Sequence, residues 1–315
     1  MVNFSYSLSP QLKESLESID KLLIKILLTP LSPKTELRMK WDSTLDRVYY
    51  SLLLSNEKIS RKDIQSSLTA SSIFRKPKKF TSQEKTILKY KKALDIITQN
   101  WIASKSIITP KTIIALHEVA CPGTYKTGSS DLKQVLDYLQ TDQDHFVVQA
   151  AFAYAAIESI HPFSDGNGRI ARLVSLMFLY KAGFYARGLI CFEENFYKNN
   201  DEFKHALKQG TENIYMTSWI EYFADSLSKS LSEKLSAVIT ASAGFERGKK
   251  FYFLNDRQKE ILSILDEPNT TITNRKVQNH FGISQITASR DLARLAVLGL
   301  LAARGRGRSV YYTKV

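Results

Sequence analysis

Cysteine is nearly missing from these 315 residues: Cys121 and Cys191 stand far apart and form neither a CxxC pair nor a disulfide framework. That fits a reducing compartment, with both thiols read as small core hydrophobes. No run of about eighteen apolar residues occurs, so a helical membrane span is not expected. The opening MVNFSYSLSPQLKESL lacks the basic and apolar regions of a signal peptide. The expected location is cytoplasmic, with no membrane partner. Gly (13) and Pro (8) are sparse, and strand-like alternation is scarce before residue 300. Nearly every segment therefore reads as helix.

What is present is charge, unevenly spread. The chain has 44 basic and 31 acidic residues, net +13. Residues 1–100 hold 18 and 10, net +8; residues 101–249 hold 15 and 16, net −1; residues 250–315 hold 11 and 5, net +6. A near-neutral centre between basic ends assigns any acidic polymer to the ends, although a solubilising surface explains the N-terminal excess equally well. The length allows two or three domains, and 43% hydrophobic residues supply a sizeable core.

From Gln11 to Leu28 the apolar residues trace one helical face, and Thr29-Pro30 stops it. A second helix is expected over roughly 38–54 and a third after Ser60, a suitable N-cap. Arg75-Lys-Pro-Lys-Lys79 reads as a solvated charged loop. Two later segments, Phe146–Ile160 and Ile170–Phe184, are apolar on almost all sides. Such helices belong at the centre of a bundle. Pro162, Gly166 and Gly168 forbid one continuous helix across them, so a tight polar loop must join the pair.

That loop concentrates chemistry. Gly166-Asn167-Gly168 leads into a helix N-terminus, where free N–H groups and the helix dipole favour an anion. Arg169 and Arg172, three apart, share a face and can grip further phosphates. Asp165 offers a hard oxygen for Mg²⁺, and His161 is the one nearby side chain suited to taking a proton near neutrality. Each feature alone is ordinary. Together they suit transfer of a phosphorus group to a hydroxyl.

His161-Pro-Phe-Ser-Asp165-Gly-Asn-Gly-Arg169-Ile-Ala-Arg172 matches HPFx[DE]GNGRxxR without a departure, and in this stretch the chain resembles the Fic family. The resemblance implies a mainly α fold: a helical Fic core over 86–240 behind an N-terminal helical region, 1–85. It implies Mg-ATP as substrate and adenylyl transfer to a Tyr, Ser or Thr of a target protein, the chain itself included. By position, His161 resembles the base and Asp165 the metal ligand. Gly166, Asn167, Gly168, Arg169, Ile170 and Ala171 fall in the ATP site, and Arg172 resembles the arginine that meets the γ-phosphate. Gly168 stands where kinase-like Doc relatives have lysine. The stretch 199–207 resembles the part of the family that carries an aromatic near adenine, giving Phe203 that role or that of an ordinary core residue. Between Leu116 and Leu132 the interval is short for the family's target-docking hairpin. Ser51, Ser55 and Asn56 resemble the inhibitory motif [ST]xxxE[GN] with Ser55 in place of glutamate. Glu57 is two residues late, about 200° round a helix.

After a linker at 241–255, residues 256–315 have their own pattern. Asn255 or Asp256 caps one helix, Thr273 precedes a short second, and Gly282-Ile-Ser284 turns into a third over 285–298. Ile286, Ala288, Leu292, Leu295 and Leu298 are available to its core. Ser284, Gln285, Thr287, Ser289 and Arg290 lie on the other side, suited to base edges. The tail reads as two strands around an RGRGR tip and resembles a winged helix, with Arg304, Arg306 and Arg308 toward phosphates or a minor groove. The partners implied are a target protein, double-stranded DNA and, as an option, a second copy in a homodimer. Two rival readings stay open: a nucleotide-sensing transcription regulator with a non-catalytic core, and another phosphoryl-type transfer on the same loop.

Overall fold

The computed structural model describes residues 5–72, 80–121, 123–126, 130–141, 144–212, 215–251, 254–265, 270–298, 300–305 and 310–314. The charged loop 75–79 and wing residues Arg306 and Arg308 lie outside them. The chain divides into two compact units, Met1–Ala243 and Gly244–Val315.

The regular elements described in the first unit are helices: α1 Pro10–Leu28, α2 Pro33–Leu53, α3 Arg61–Ser72, α4 Ser82–Asn100, α5 Pro110–Ala120, α6 Ser130–Leu139, α7 Phe146–Ile160, α8 Asn167–Lys181, α9 Glu193–Lys198, α10 Asn200–Glu212 and α11 Thr217–Phe251, whose last residues fall in the second unit. The starts follow from local chemistry. Ser9, Ser32 and Thr109 cap α1, α2 and α5, each followed by proline at the first helical position, where the missing N–H costs nothing. The Ser32-Pro33 signal begins α2 ahead of the expected residue 38. Thr81 and Glu84 close a capping box on α4.

The two all-round apolar segments become α7 and α8, the most extensively packed helix pair. Every residue of α7 from Val147 to Ile157 is buried, as is nearly all of α8. Trp219 of α11 donates its indole N–H to the Ala151 carbonyl (2.8 Å), and Ser175 of α8 donates to the Ala150 carbonyl (2.9 Å). These bonds fix the α7–α8 pair in the core, and with it the loop at their shared end. The α8 helix begins at Asn167, ahead of the expected 170, because Gly166 takes a left-handed φ of +83° at its N-cap. Helix α11 runs on through 251, where a linker was expected from 241.

The second unit contains α12 Asp256–Ile264, α13 Asn274–Phe281, α14 Gln285–Val297, and an antiparallel pair, β1 Leu301–Arg304 and β2 Tyr311–Lys314. Ile272 and Tyr312 exchange both backbone bonds at the open side of β2. Ile261, Leu265, Val277, Ala288, Leu292 and Leu295 form its core. Ile286, expected inward, is 64% exposed instead. Asp291 is buried and accepts from Arg257 Nε and Gln258 Nε2, both at 2.6 Å, so its charge is paired inside this small unit.

Candidate active site in the α7–α8 loop

His161 is the C-cap of α7 in the left-handed region, φ +48° and ψ 58°. This conformation turns the exposed ring back over the helix, where Nδ1 meets the Glu158 carbonyl. A carbonyl can only accept, so Nδ1 carries a proton, and in the neutral ring the lone pair is therefore on Nε2. The base expected from the sequence is thus held in the tautomer a base requires.

The loop between the helices is braced from three sides. Asn167 accepts from Phe163 N–H (3.0 Å) and donates to the Phe163 carbonyl (2.9 Å). Its side chain is therefore a buried brace, and only its backbone N–H, in the first turn of α8, remains for the cradle role. His117 of α5 stacks on Phe163 at 3.8 Å between centroids and pairs Nε2 with the Asp165 carbonyl at 2.9 Å. Cys121 backs Gly166 so closely that a β-carbon there would sit 2.7 Å from the Cys121 β-carbon. Burial pushes the Cys121 thiol up to about 11, which keeps it an inert packing group. Across the loop, Tyr125 bridges Phe163; Lys126 N–H donates to the Pro162 carbonyl (2.8 Å), and Ser164 N–H to that of Thr124 (3.0 Å). The short interval before Leu132 therefore presents a strand-like edge alongside the motif.

A cleft of about 400 Å³ opens over this loop, lined by Leu54, Ser55, Glu158, His161 and residues 164–169. Asp165 is exposed; one carboxylate oxygen accepts from Gly166 N–H (2.7 Å) and the other from Arg169 Nη2 (3.3 Å). Arg169 is buried, lies 3.6 Å from Glu57, and has Nε without an acceptor among the described residues. A buried cationic donor without a protein acceptor, beside a helix N-terminus, suits an anion such as phosphate. Arg172 is also buried. Its Nε donates to Ser51 Oγ (2.7 Å), and Nη2 donates to the Ser51 carbonyl (2.8 Å) and to Ser55 Oγ (2.7 Å). Ser51 and Ser55 thus meet the arginine that the resemblance assigns to the γ-phosphate. Asn56 is the exposed left-handed residue that ends the turn, φ +60°. Glu57 reaches Arg169. Ile170 and Ala171 are wholly buried and support the helix from behind.

Among the described residues no group of three or more His, Cys, Asp or Glu could hold a metal by itself. One exposed carboxylate beside an anion cradle still fits Mg²⁺, which keeps several waters and takes its other ligands from nucleotide phosphates. Phe203 does not reach the cleft. It is 7% exposed and stacks on Phe196 (4.7 Å, 13°) among Tyr154, Trp219 and Tyr222. The core role, which the amphipathic pattern allowed, is the one realised. His117 and Glu158 went unnoticed in the sequence. A histidine one turn before the end of α5 and a glutamate one turn before His161 were the available signals.

In the second unit, Ser284 caps α14 by accepting from Thr287 N–H (3.2 Å), and Ser289 accepts from Asn274 (2.7 Å). These hydroxyls brace the turn between α13 and α14. Gln285 and Arg290 are exposed on α14, as is Arg304 at the end of β1.

Residues 115–179 match the Fic/DOC family, and residues 257–315 match the DeoR-like helix-turn-helix domain. The chain carries a Fic/DOC-family domain and a DeoR-like helix-turn-helix domain. No curated protein matches it. Among solved structures it is similar to a Fic family protein from Desulfovibrio desulfuricans G20, at 15% identity and TM-score 0.64, over 99% of this chain and 98% of that one. Fic-1 of C. elegans aligns at 17% identity and TM-score 0.58, over 73% of each chain. A Fic-domain signaling protein from Bacteroides thetaiotaomicron VPI-5482 aligns at 19% and 0.56, over 74% of this chain and 98% of that one. At these identities the likeness is one of fold. Among the described residues no helix of the Fic unit or the DeoR-like unit is long and apolar enough to cross a membrane.

Proposed function

We propose that this Fic-domain chain transfers AMP from ATP to a hydroxyl of a target protein. The observation that carries the reading is His161, pinned through Nδ1 with Nε2 left basic, at the rim of a cleft floored by the first turn of α8. A target Tyr, Ser or Thr gives its proton to Nε2 as its oxygen attacks the α-phosphorus. The bond to the bridging oxygen breaks, and pyrophosphate leaves with the electron pair. Positioning and charge stabilisation do most of the work in such a transfer. Backbone N–H groups at the start of α8 and the Arg169 guanidinium receive the phosphates, and Arg172 holds the outermost one. Mg²⁺, when bound, neutralises charge on the phosphates beside Asp165. The edge at 124–126 lines up an extended target segment by backbone pairing.

A pinned base argues for chemistry over nucleotide sensing, since sensing needs the cradle but no proton acceptor. The DeoR-like unit would direct the activity to DNA or to proteins on it, with Gln285 and Arg290 toward the groove and the wing arginines toward phosphate. Incubation with ATP labelled at the α- or γ-phosphate, alone and with cell lysate, tests the proposal. Protein label from the α position only is expected. Label from the γ position only would establish kinase chemistry, and none from either would favour a sensor.

A further inference from the structure

The cleft of an enzyme for a polyphosphate contains an acid that the reaction does not use. Glu158 lies one turn before His161 on α7. Its backbone carbonyl holds the base, while its side chain, half-buried, lines the cleft together with His161 and the first turn of α8. A β-carbon on Gly168 would fall 2.9 Å from Glu158 Oε1 and 3.3 Å from Arg172 Nη1. Carboxylate and guanidinium therefore flank one point, directly over the helix N-terminus where a phosphate is to sit. Nε and Nη2 of Arg172 donate to Ser51 and Ser55. On the α7 side, the Tyr154 hydroxyl and the Glu158 carboxylate are the groups that act on Arg172.

From this placement we infer that Glu158 is a resident counter-anion of the cleft, a positioning residue that partly balances Arg172 and weakens its hold on polyphosphate. The inference rests on the nucleotide reading for its ligand but makes its own demand on affinity. A cleft of two arginines and a helix N-terminus, with no opposing charge, would retain pyrophosphate after transfer. A fixed carboxylate lowers affinity for both reactant and product, and so favours release. Gly168 belongs to the same device, because any side chain there would displace the carboxylate.

Replacing Glu158 by glutamine or by methionine removes the charge at nearly constant volume. Both variants should bind ATP and inorganic pyrophosphate about 10- to 100-fold more tightly than the parent, as expected for one like charge removed at close range. The measurement is calorimetric titration of the full chain at low ionic strength with Mg²⁺, each protein first shown folded by circular dichroism. Agreement between Gln and Met separates loss of charge from loss of a hydrogen bond. Burial raises the Glu158 pKa, against the opposing pull of Arg172 and His161. Acidification should therefore neutralise it and draw the parent's affinity toward that of the variants. His161, Asp165 and Arg169 line the same cleft in all three proteins, with Arg172 and the Tyr154 hydroxyl buried behind it, and all cancel in the comparison. A parent that binds pyrophosphate but not ATP would sink the nucleotide reading and leave this one standing. Equal or weaker pyrophosphate binding by both folded variants would overturn it.

Discussion

Replacing Ser55 with glutamate should silence the proposed transfer. Ser55 sits in the turn after α2, lines the cleft, and accepts from Arg172 Nη2 at 2.7 Å while donating to the Ser51 carbonyl at 3.1 Å. A glutamate there has room to extend into the cleft and pair with a guanidinium that Ser51 already holds in place. The neutral hydroxyl adds no counter-charge to the arginine beyond that of Glu158, and a carboxylate paired with it would cancel what remains for an incoming phosphate. A charge-assisted pair in this half-buried setting is worth about 1–3 kcal/mol beyond the hydroxyl contact, so productive ATP binding should fall roughly 5- to 150-fold. The assay is auto-modification with α-labelled ATP at equal, subsaturating concentrations. The parent should label itself without an activating partner and the Ser55→Glu protein should not. A variant as active as the parent would refute the argument that this turn governs Arg172.

His161→Ala should reduce label transfer by about 10²–10⁴-fold, with ATP affinity changed only a few-fold by calorimetry; undiminished transfer would remove His161 from the chemistry. Gly166→Ala should be among the most damaging single substitutions in the first unit. It forces a side chain into φ +83° and sets its β-carbon 2.7 Å and 2.8 Å from Cys121 Cβ and Sγ. Left-handed strain and overpacking together cost about 2–4 kcal/mol, or roughly 5–15 °C in Tm, and a melt within a degree of the parent would contradict that. Replacing Arg304, Arg306 and Arg308 with alanine should weaken duplex binding by the full chain and lower its salt slope by about three. An unchanged slope in a filter-binding or anisotropy series would remove the wing from the phosphate contacts.

The residues that announce this site lie within twelve positions of one another, His161 to Arg172, which is why they were legible. A loop this short between two helices apolar on all sides has few places to go, and the local rules for helix caps, glycine conformation and helix dipoles apply to it directly. The same holds for α7, and for Asn255 and Thr273, each of which satisfies an N–H within three residues of itself. Ser284 was legible as a polar position on α14 but not as its cap, because base contact and capping ask for the same residue type.

Tertiary packing decided the rest. Whether Phe203 faced a nucleotide or the core depended on α7, α9 and α11, whose Tyr154, Phe196 and Trp219 enclose it. Periodicity names a helix face but not its neighbour. The Asn167 side chain is a brace, since the backbone polar groups of buried Phe163 need partners, and the cradle role expected of this residue falls to its backbone N–H alone. That Arg172 would meet Ser51 and Ser55, and Arg169 meet Glu57, required α2 to dock against α8, more than a hundred residues later in the chain. Sequence determined the chemistry this chain carries, because reactive groups and helix signals are local properties. Only the packed fold determined which charges oppose one another in the cleft, because electrostatic partners are chosen by distance in space.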